Sequence, residues 1–355
     1  MNTIINGNLL FIGDPHFKTD NIIESEKLIL EIERYLNSYT IQYVIVLGDI
    51  LHTHEKLNTF AMNNSMKLFT MLSKRITTYV LVGNHDAVNN SIFLTTDHWL
   101  NVLKGWYNII VVDKPIKISL SLNNIVKTIC ICPYVSDGRF VEALNHIDNW
   151  TNSNLIIGHQ LLDGAKMGPI VASGVEEWKL TYPLLISGHI HDKQRPQPNL
   201  FYCGSSLQHA FGESGDKTLY LYNIFSNTGE ELKLNIPYKD ILYVDVSNID
   251  SIQEQMKKYK DDNVSVKIVI KGDESLCKSS KGLEIISQIQ SNSQVKSIVF
   301  KPTFKISNEF SYKEESFELI LKNIVTNKND PLLDNLLNHL LIGGEDLSDK
   351  DVFFI

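Results

Sequence analysis

The chain has 355 residues, 43% of them apolar, enough for one large domain with a sizeable core and a smaller second one. Its formal charge of −8 excludes a nucleic-acid binder that works by bulk electrostatics alone, so a polyanion would have to be held by local positive groups. It has no run of about 18 apolar residues to cross a bilayer. The cysteines Cys130, Cys132, Cys203 and Cys277 show no C-x-x-C spacing, which fits a reduced intracellular, cytoplasmic compartment.

The N-terminus lacks a basic segment ahead of its first apolar run, so a signal peptide is not expected. That run, residues 9–12, is a strand leading into Gly13-Asp14-Pro15-His16. Ile22, Ile23, Leu28, Ile29, Ile32 and Leu36 then recur at helical spacing, predicting a crossover helix over residues 22–36. A second strand, residues 43–47, runs into Gly48-Asp49, with His52 three residues on. A helix over residues 57–72 joins it to a third strand, residues 78–82, which is followed by Gly83-Asn84-His85-Asp86. Strand-helix-strand units of this kind make a right-handed parallel sheet.

Strands resume at residues 109–112, 116–120 and 125–131, the last two joined by a turn at Asn123-Asn124. Tyr134 follows near the expected crevice, where it either stacks on a base or packs at the strand end. Residues 140–150 read as a helix. Two further apolar strands end in Gly158-His159 and Gly188-His189-Ile190-His191. The glycine-rich stretch 161–178 between them is expected to be a loop beside the site, with Lys166 as a candidate contact to the phosphate backbone of a polyanionic substrate. Strands at residues 200–203 and 218–223 follow, the latter expected to close the sheet.

From about Pro237 the pattern becomes a βαβαβ unit, with strands at 241–246, 264–270 and 295–300 and helices at 252–259 and 282–289. Between Lys239 and Lys305 there are 11 lysines, no arginine and 9 acidic residues, a net +2 in an otherwise acidic chain. A solvated face explains this as well as phosphate contact does. Beyond Tyr312, two amphipathic helices are expected, split by Asn329-Asp330-Pro331. They form a hairpin if their apolar faces pack together, or a docking surface if one face is left over. The division is therefore 1–236, 237–306 and 307–355.

Five buried-type strands are each followed by donors: Asp14, His16, Asp49, Asn84, His159, His189 and His191. Their carboxyl ends would converge on one crevice. Nitrogen and hard oxygen donors without thiolate suit manganese, iron or zinc. Seven donors exceed the needs of one ion, whereas two ions roughly 3.5–4 Å apart, sharing a carboxylate, would use them all. A single Gly-His or Asp-x-His is an ordinary turn; five such ends in one strand-glycine context are not.

Asp-x-His, Gly-Asp, Gly-Asn-His-Asp, Gly-His and Gly-His-x-His, in that order over residues 9–191, resemble the calcineurin-like metallophosphoesterase superfamily. The resemblance implies an α/β fold: a metallophosphoesterase β-sandwich flanked by helices. It implies that Asp14, His16, Asp49 and His191 hold one metal and Asp49, Asn84, His159 and His189 the other. His85 would protonate the leaving oxygen, with Asp86 fixing its orientation. Asp49-x-x-His52, His189-x-His191-x-x-Gln194, Tyr202-x-Gly204-Ser205 and Phe211-x-Glu213 are similar to the SbcD-type double-strand-break repair nucleases and their T-even phage counterpart.

That narrower resemblance implies manganese-dependent double-strand exonuclease and single-strand endonuclease action in DNA recombination and repair. His52 would assist by positioning the substrate. Residues 237–306 would be a capping domain, and residues 307–355 would grip an SbcC-type coiled-coil ABC ATPase, in a complex built on a homodimer. The alternatives are a phosphodiesterase or phosphatase acting on a small molecule, and a non-catalytic scaffold. Asn-, Ile- and Lys-rich usage hints at an A·T-rich genome, such as a viral one, which would make the compartment the host cytoplasm.

Overall fold

The computed structural model describes residues 6–54, 56–259, 263–273, 280–302 and 325. The chain opens with β1 (Asn8–Ile12), α1 (Ile22–Ser38), β2 (Tyr43–Val46), α2 (Thr59–Ser73), β3 (Thr78–Leu81), β4 (Ile109–Val112), β5 (Ile116–Leu122) and β6 (Ile125–Ile131). It continues through α3 (Phe140–Leu144), β7 (Leu155–His159), β8 (Lys166–Met167), β9 (Ile170–Val171), β10 (Leu184–Gly188), β11 (Gln194–Gln197) and β12 (Leu200–Tyr202). Last come β13 (Thr218–Asn223), β14 (Thr228–Lys233), β15 (Tyr238–Asp245), α4 (Ile252–Met256), β16 (Val264–Gly272), α5 (Ser280–Gln290) and β17 (Val295–Pro302).

Two six-stranded sheets carry the fold, ordered β14-β13-β1-β2-β3-β4 and β11-β12-β10-β7-β6-β5. In the first, β1 to β4 are parallel, and β13 and β14 add antiparallel strands beside β1. In the second, β12, β10, β7 and β6 are parallel, with antiparallel edges at β11 and β5. Side chains alternate between faces, which explains why these strands are apolar at every position. Leu9, Phe11, Ile45, Leu47 and Leu81 face Ile129, Ile131, Leu155, Ile157 and Ile186 between the sheets. Leu10, Ile12, Val44, Val46 and Val80 instead pack on Leu28 and Ile32 of α1 and on Leu68, Phe69 and Leu72 of α2. The outer face of the second sheet puts Cys130, Ile156 and Leu185 under Phe140, Trp150 and Trp178. The result is the β-sandwich flanked by helices.

Local chemistry sets the helix ends. Asn58 caps α2 by accepting hydrogen bonds from the Phe60 and Ala61 amides at 2.9 and 3.4 Å. The helix expected over residues 140–150 is shorter. Glu176 caps α3 through the Phe140 and Val141 amides, and the chain then turns away, with Asn149 in the left-handed region at φ 54°. The loop expected over 161–178 contains the β8–β9 hairpin, turned at Gly168. β13 pairs in the body of the first sheet, and the edge is β14, which the sequence pattern does not announce.

The βαβαβ expectation corresponds to a parallel three-stranded sheet ordered β15-β16-β17, with its own core around Val244, Ile252, Met256, Val266, Ile268 and Ile289. It falls in the same compact unit, Met1–Pro302, as the two larger sheets. Gln208 fastens it: its carbonyl oxygen accepts from the Lys239 amide at 2.6 Å and its amide donates to the Lys239 carbonyl at 2.8 Å. The helices expected beyond Tyr312 lie outside the described residues. Among the described residues no helix is long and apolar enough to cross a membrane.

Candidate metal centre

The expected ligands come from both sheets. The first supplies Asp14 and His16 after β1, Asp49 after β2 and Asn84 after β3; the second supplies His159 at the end of β7 and His189 and His191 after β10. Asp14, His16, Asp49 and His189 all hold left-handed backbone conformations, at φ 30°, 40°, 51° and 78°. Such conformations are uncommon outside glycine and persist where the surrounding fold imposes them, often at functional sites. The glycines before them are required by close approach. A Cβ at Gly83 would collide with the Asp49 carboxylate and amide, and one at Gly188 would stand 2.9 Å from both Asp14 Oδ1 and His159 Nδ1.

The candidate ligand atoms are brought within 3.0–3.4 Å of one another. His159 Nδ1 lies 2.8 Å from the Leu47 carbonyl, so it carries the proton that donates there. Its Nε2 faces Asn84 Oδ1 at 3.0 Å and Asp49 Oδ2 at 3.4 Å. His189 Nδ1 approaches the same Asn84 oxygen at 3.1 Å. On the other side, His16 Nε2 stands 3.1 Å from His191 Nε2 and 3.4 Å from Asp49 Oδ2. Asp49 Oδ2 is therefore common to both clusters, as expected of a bridging carboxylate.

A cation would reconcile so many donor atoms at such short separations. Asp14 supports the same conclusion, since its Oδ2 is fully buried and has no hydrogen-bond partner. Asp49, His159 and His189 offer ligand atoms within 4.8 Å of one another, as do His16, His191 and His209. The donor set thus fits divalent metal ions.

Without metal, protons take up part of that task. Burial pushes the Asp14 carboxyl up to about 6, against the attraction of His159. Burial would lower His159, but the charge of Asp49 and their hydrogen bond outweigh it and raise the imidazole to about 9. Asp49 opposes its own burial through that pairing and is held well below the usual carboxylate range.

His85 stands beside the ligands, half-buried, with its ring centroid 4.7 Å from that of His16. Its amide donates to Asp49 Oδ1 at 2.9 Å and its Nδ1 donates to the His52 carbonyl at 2.6 Å, leaving Nε2 for another partner. Burial lowers its pKa, opposed by the Asp49 charge. The ring of His52 stacks near it at 5.6 Å, and His52 Nδ1 comes within 3.5 Å of His16 Nδ1.

Asp86 differs from its expected part. Its carboxylate accepts from the Ile50 and Gly83 amides and from Trp99 Nε1, at 3.0, 3.1 and 2.9 Å, so it staples the loops together while the His52 carbonyl orients His85. Tyr134 is 5% exposed, donates to the Asn90 carbonyl at 3.0 Å and stacks on His189 at 6.0 Å. Lys166 is exposed on β8, whose backbone is joined to Gln194 by two hydrogen bonds of 2.8 Å.

Sequence reasoning gave no task to four neighbours. His209 is buried, with Nε2 donating to the Asp14 carbonyl at 3.0 Å and its ring 4.8 Å from those of His16 and His191. Glu213 reaches His191, and Lys217 is buried beside it. His54 stacks on His85 with ring centroids 4.5 Å apart. The only prior signal was the LQHAFGE stretch, which quoted Glu213 without giving it a task.

Comparison with known proteins agrees with this chemistry. The family described as calcineurin-like phosphoesterase matches residues 7–193. "Putative phosphoesterase 244L" of Invertebrate iridescent virus 6 is 42% identical over 294 residues, covering 79% of this chain and 99% of that protein. "Putative phosphoesterase 078R" of Invertebrate iridescent virus 3 is 33% identical over 343 residues, covering 95% and 97%. A solved phosphoesterase from E. coli, Yfce, overlays 64% of this chain and 100% of its own at 11% identity and a TM-score of 0.30, too low a likeness to carry an argument.

Proposed function

The chain belongs to the calcineurin-like phosphoesterase family, whose members hydrolyse phosphoester bonds, and from that premise we propose that it is a two-metal DNA nuclease, most active with manganese. The observation that carries the reading is His52. It stands three residues after the shared carboxylate, touches His16 and holds His85 through its carbonyl. A groove of about 980 Å³ supports it, starting at His209 and Phe211 and running between α1 and the three-stranded sheet past Lys27, Lys239 and Lys296. Those lysines share the lining with Asp20 and Glu24, and Lys27 and Lys239 also bond Asn263 and the Gln208 and His209 carbonyls, which leaves a small positive excess for phosphate contact.

When bound, two divalent ions supply Lewis-acid charge to a phosphoryl oxygen and lower the pKa of water. The chain's residues do the rest. Asp49 spans both clusters, Asp14, His16 and His191 complete one, and Asn84, His159 and His189 complete the other. His85, held at Nδ1, presents Nε2 to protonate the departing oxygen. His52 positions the strand beside it. In this reading the chain is the nuclease subunit of a recombination and repair complex with an SbcC-type coiled-coil ABC ATPase, gripped through residues 307–355 and built on a homodimer. Deleting residues 312–355 should abolish ATPase association and leave metal-dependent hydrolysis intact; co-purification of the truncated chain would contradict this part.

A small-molecule phosphodiesterase is the second reading. It is favoured by the −8 charge and by a pocket of about 480 Å³ at His52, lined by Phe17, Lys18, Leu51 and Lys56. The deciding experiment presents end-labelled duplex DNA, circular single-stranded DNA and a generic aryl phosphodiester to the purified chain with manganese. DNA cleavage lost in His85→Ala supports the nuclease. Hydrolysis of the small ester alone, unchanged when the ATPase is added, supports the second reading.

A further inference from the structure

The Gly204-Ser205 and Phe211-x-Glu213 motifs have no part in the ligand set, yet Ser205 and Glu213 both reach one ligand, His191. Resting on the metal-centre reading, we propose that Glu213 and Lys217 are positioning residues for His191 and so set the affinity of the metal position to which it belongs.

His191 is held from two directions by the segment leading into β13. Its carbonyl accepts from the Ser205 amide at 3.0 Å and from Lys217 Nζ at 3.4 Å. Its ring Nδ1 faces Glu213 Oε1 at 3.5 Å. With Nδ1–H turned to a carboxylate, Nε2 is left as a lone pair, and it points at His16 Nε2 3.1 Å away.

Glu213 is in turn fixed by the His209 amide at 2.9 Å and by Lys217 at 3.4 Å, both on Oε2. Lys217 is 6% exposed and also donates to Ser205 Oγ at 2.8 Å. A lysine is rarely so buried unless it is paired. Here it pairs with the carboxylate that meets His191 Nδ1 while bonding the backbone of His191. The same carboxylate holds the amide of His209, whose ring bonds the Asp14 carbonyl. Glu213 therefore reaches both His191 and the backbone of Asp14.

The test is a titration of the full chain with Mn²⁺ alone, followed by loss of the free-ion paramagnetic resonance signal. Wild type, Glu213→Gln, Lys217→Met, His191→Ala and the double variant His191→Ala/Glu213→Gln are compared, with thermal melts reporting folding. Glu213→Gln should weaken one of the two binding steps by about 10- to 100-fold and leave the other unchanged. Lys217→Met, where folded, should weaken the same step. In the His191→Ala background, Glu213→Gln should cost nothing further, an outcome a merely structural role would not produce.

Wild-type affinities in Glu213→Gln, or an equal loss with and without His191, overturn the proposal, and Glu213→Gln decides alone if Lys217→Met does not fold. A wild-type chain that binds no Mn²⁺ would overturn the metal-centre reading along with it.

Discussion

The loop after β2 and the loop after β16 share one local pattern: an apolar parallel strand, a glycine at positive φ, then aspartate. Gly48 has φ 111° and Gly272 has φ 139°. Asp49 is buried between His16 and His159, whereas Asp273 is exposed. The difference lies in what neighbouring strands deliver. β1, β3 and β7 end in Asp14, Asn84 and His159 around Asp49, while β15 runs on into Val246 and a 3-10 turn that packs against Gly272. Gly-Asp thus ends a parallel strand in both places, and faces imidazoles only where a second sheet brings them.

The largest effect should come from exchanging the two aspartates for alanine. Asp49→Ala should reduce phosphodiester hydrolysis by at least about 10²–10³-fold, the scale of losing one electrostatic group from a reacting centre. Asp273→Ala should leave the rate unaltered. Equal losses in the two rates would erase the distinction.

The paired glycines sharpen it. A Cβ at Gly83 collides with Asp49, and one at Gly272 collides with Val246. Both Gly83→Ala and Gly272→Ala should therefore lower stability by about 1–3 kcal/mol in denaturant melts. Only Gly83→Ala should also weaken metal binding, measured by calorimetric titration with Mn²⁺.

A pH series probes the proton that stands in for metal. His159 is raised from 6.5 to about 9 in the metal-free fold, so it contributes stability that is fully present below pH 6.5 and lost as pH rises through about 9. A divalent ion takes that proton's place. The rise in Tm on adding Mn²⁺ should grow from pH 6.5 to 9, whereas an increment independent of pH would count against His159 as a ligand.

The smallest effect belongs to an exposed residue. Lys166→Ala should weaken DNA binding uniformly across sequences and reduce the salt slope by about 1, read from affinities at several salt concentrations. An unchanged slope would remove Lys166 from the DNA path.

Much of this was legible in the sequence because buried parallel strands announce themselves as apolar runs and their exits are punctuated by glycine. What such runs do not reveal is partnership. Leu9 and Leu10 are equally apolar, yet one faces the second sheet and the other faces α1 and α2, so the pattern gives five strands without dividing them between two sheets. β11 and β14 escaped notice because QRPQ and TGEELK are polar edge strands with no apolar alternation. His209, Glu213 and Lys217 escaped because they lie on an irregular segment, where no periodicity places a side chain. The family resemblance ties Asp86 to His85, whereas the fold turns its carboxylate to Trp99.

The most direct test of the central claim is the divalent metal content of the purified, dialysed full chain, measured by mass spectrometry for wild type, Asp49→Ala and Asp273→Ala. The two-cluster arrangement around Asp49 predicts about two ions per chain in wild type and in Asp273→Ala, and none retained in Asp49→Ala. A wild-type chain without metal after loading, or an Asp49→Ala chain that keeps as much as wild type, would contradict it.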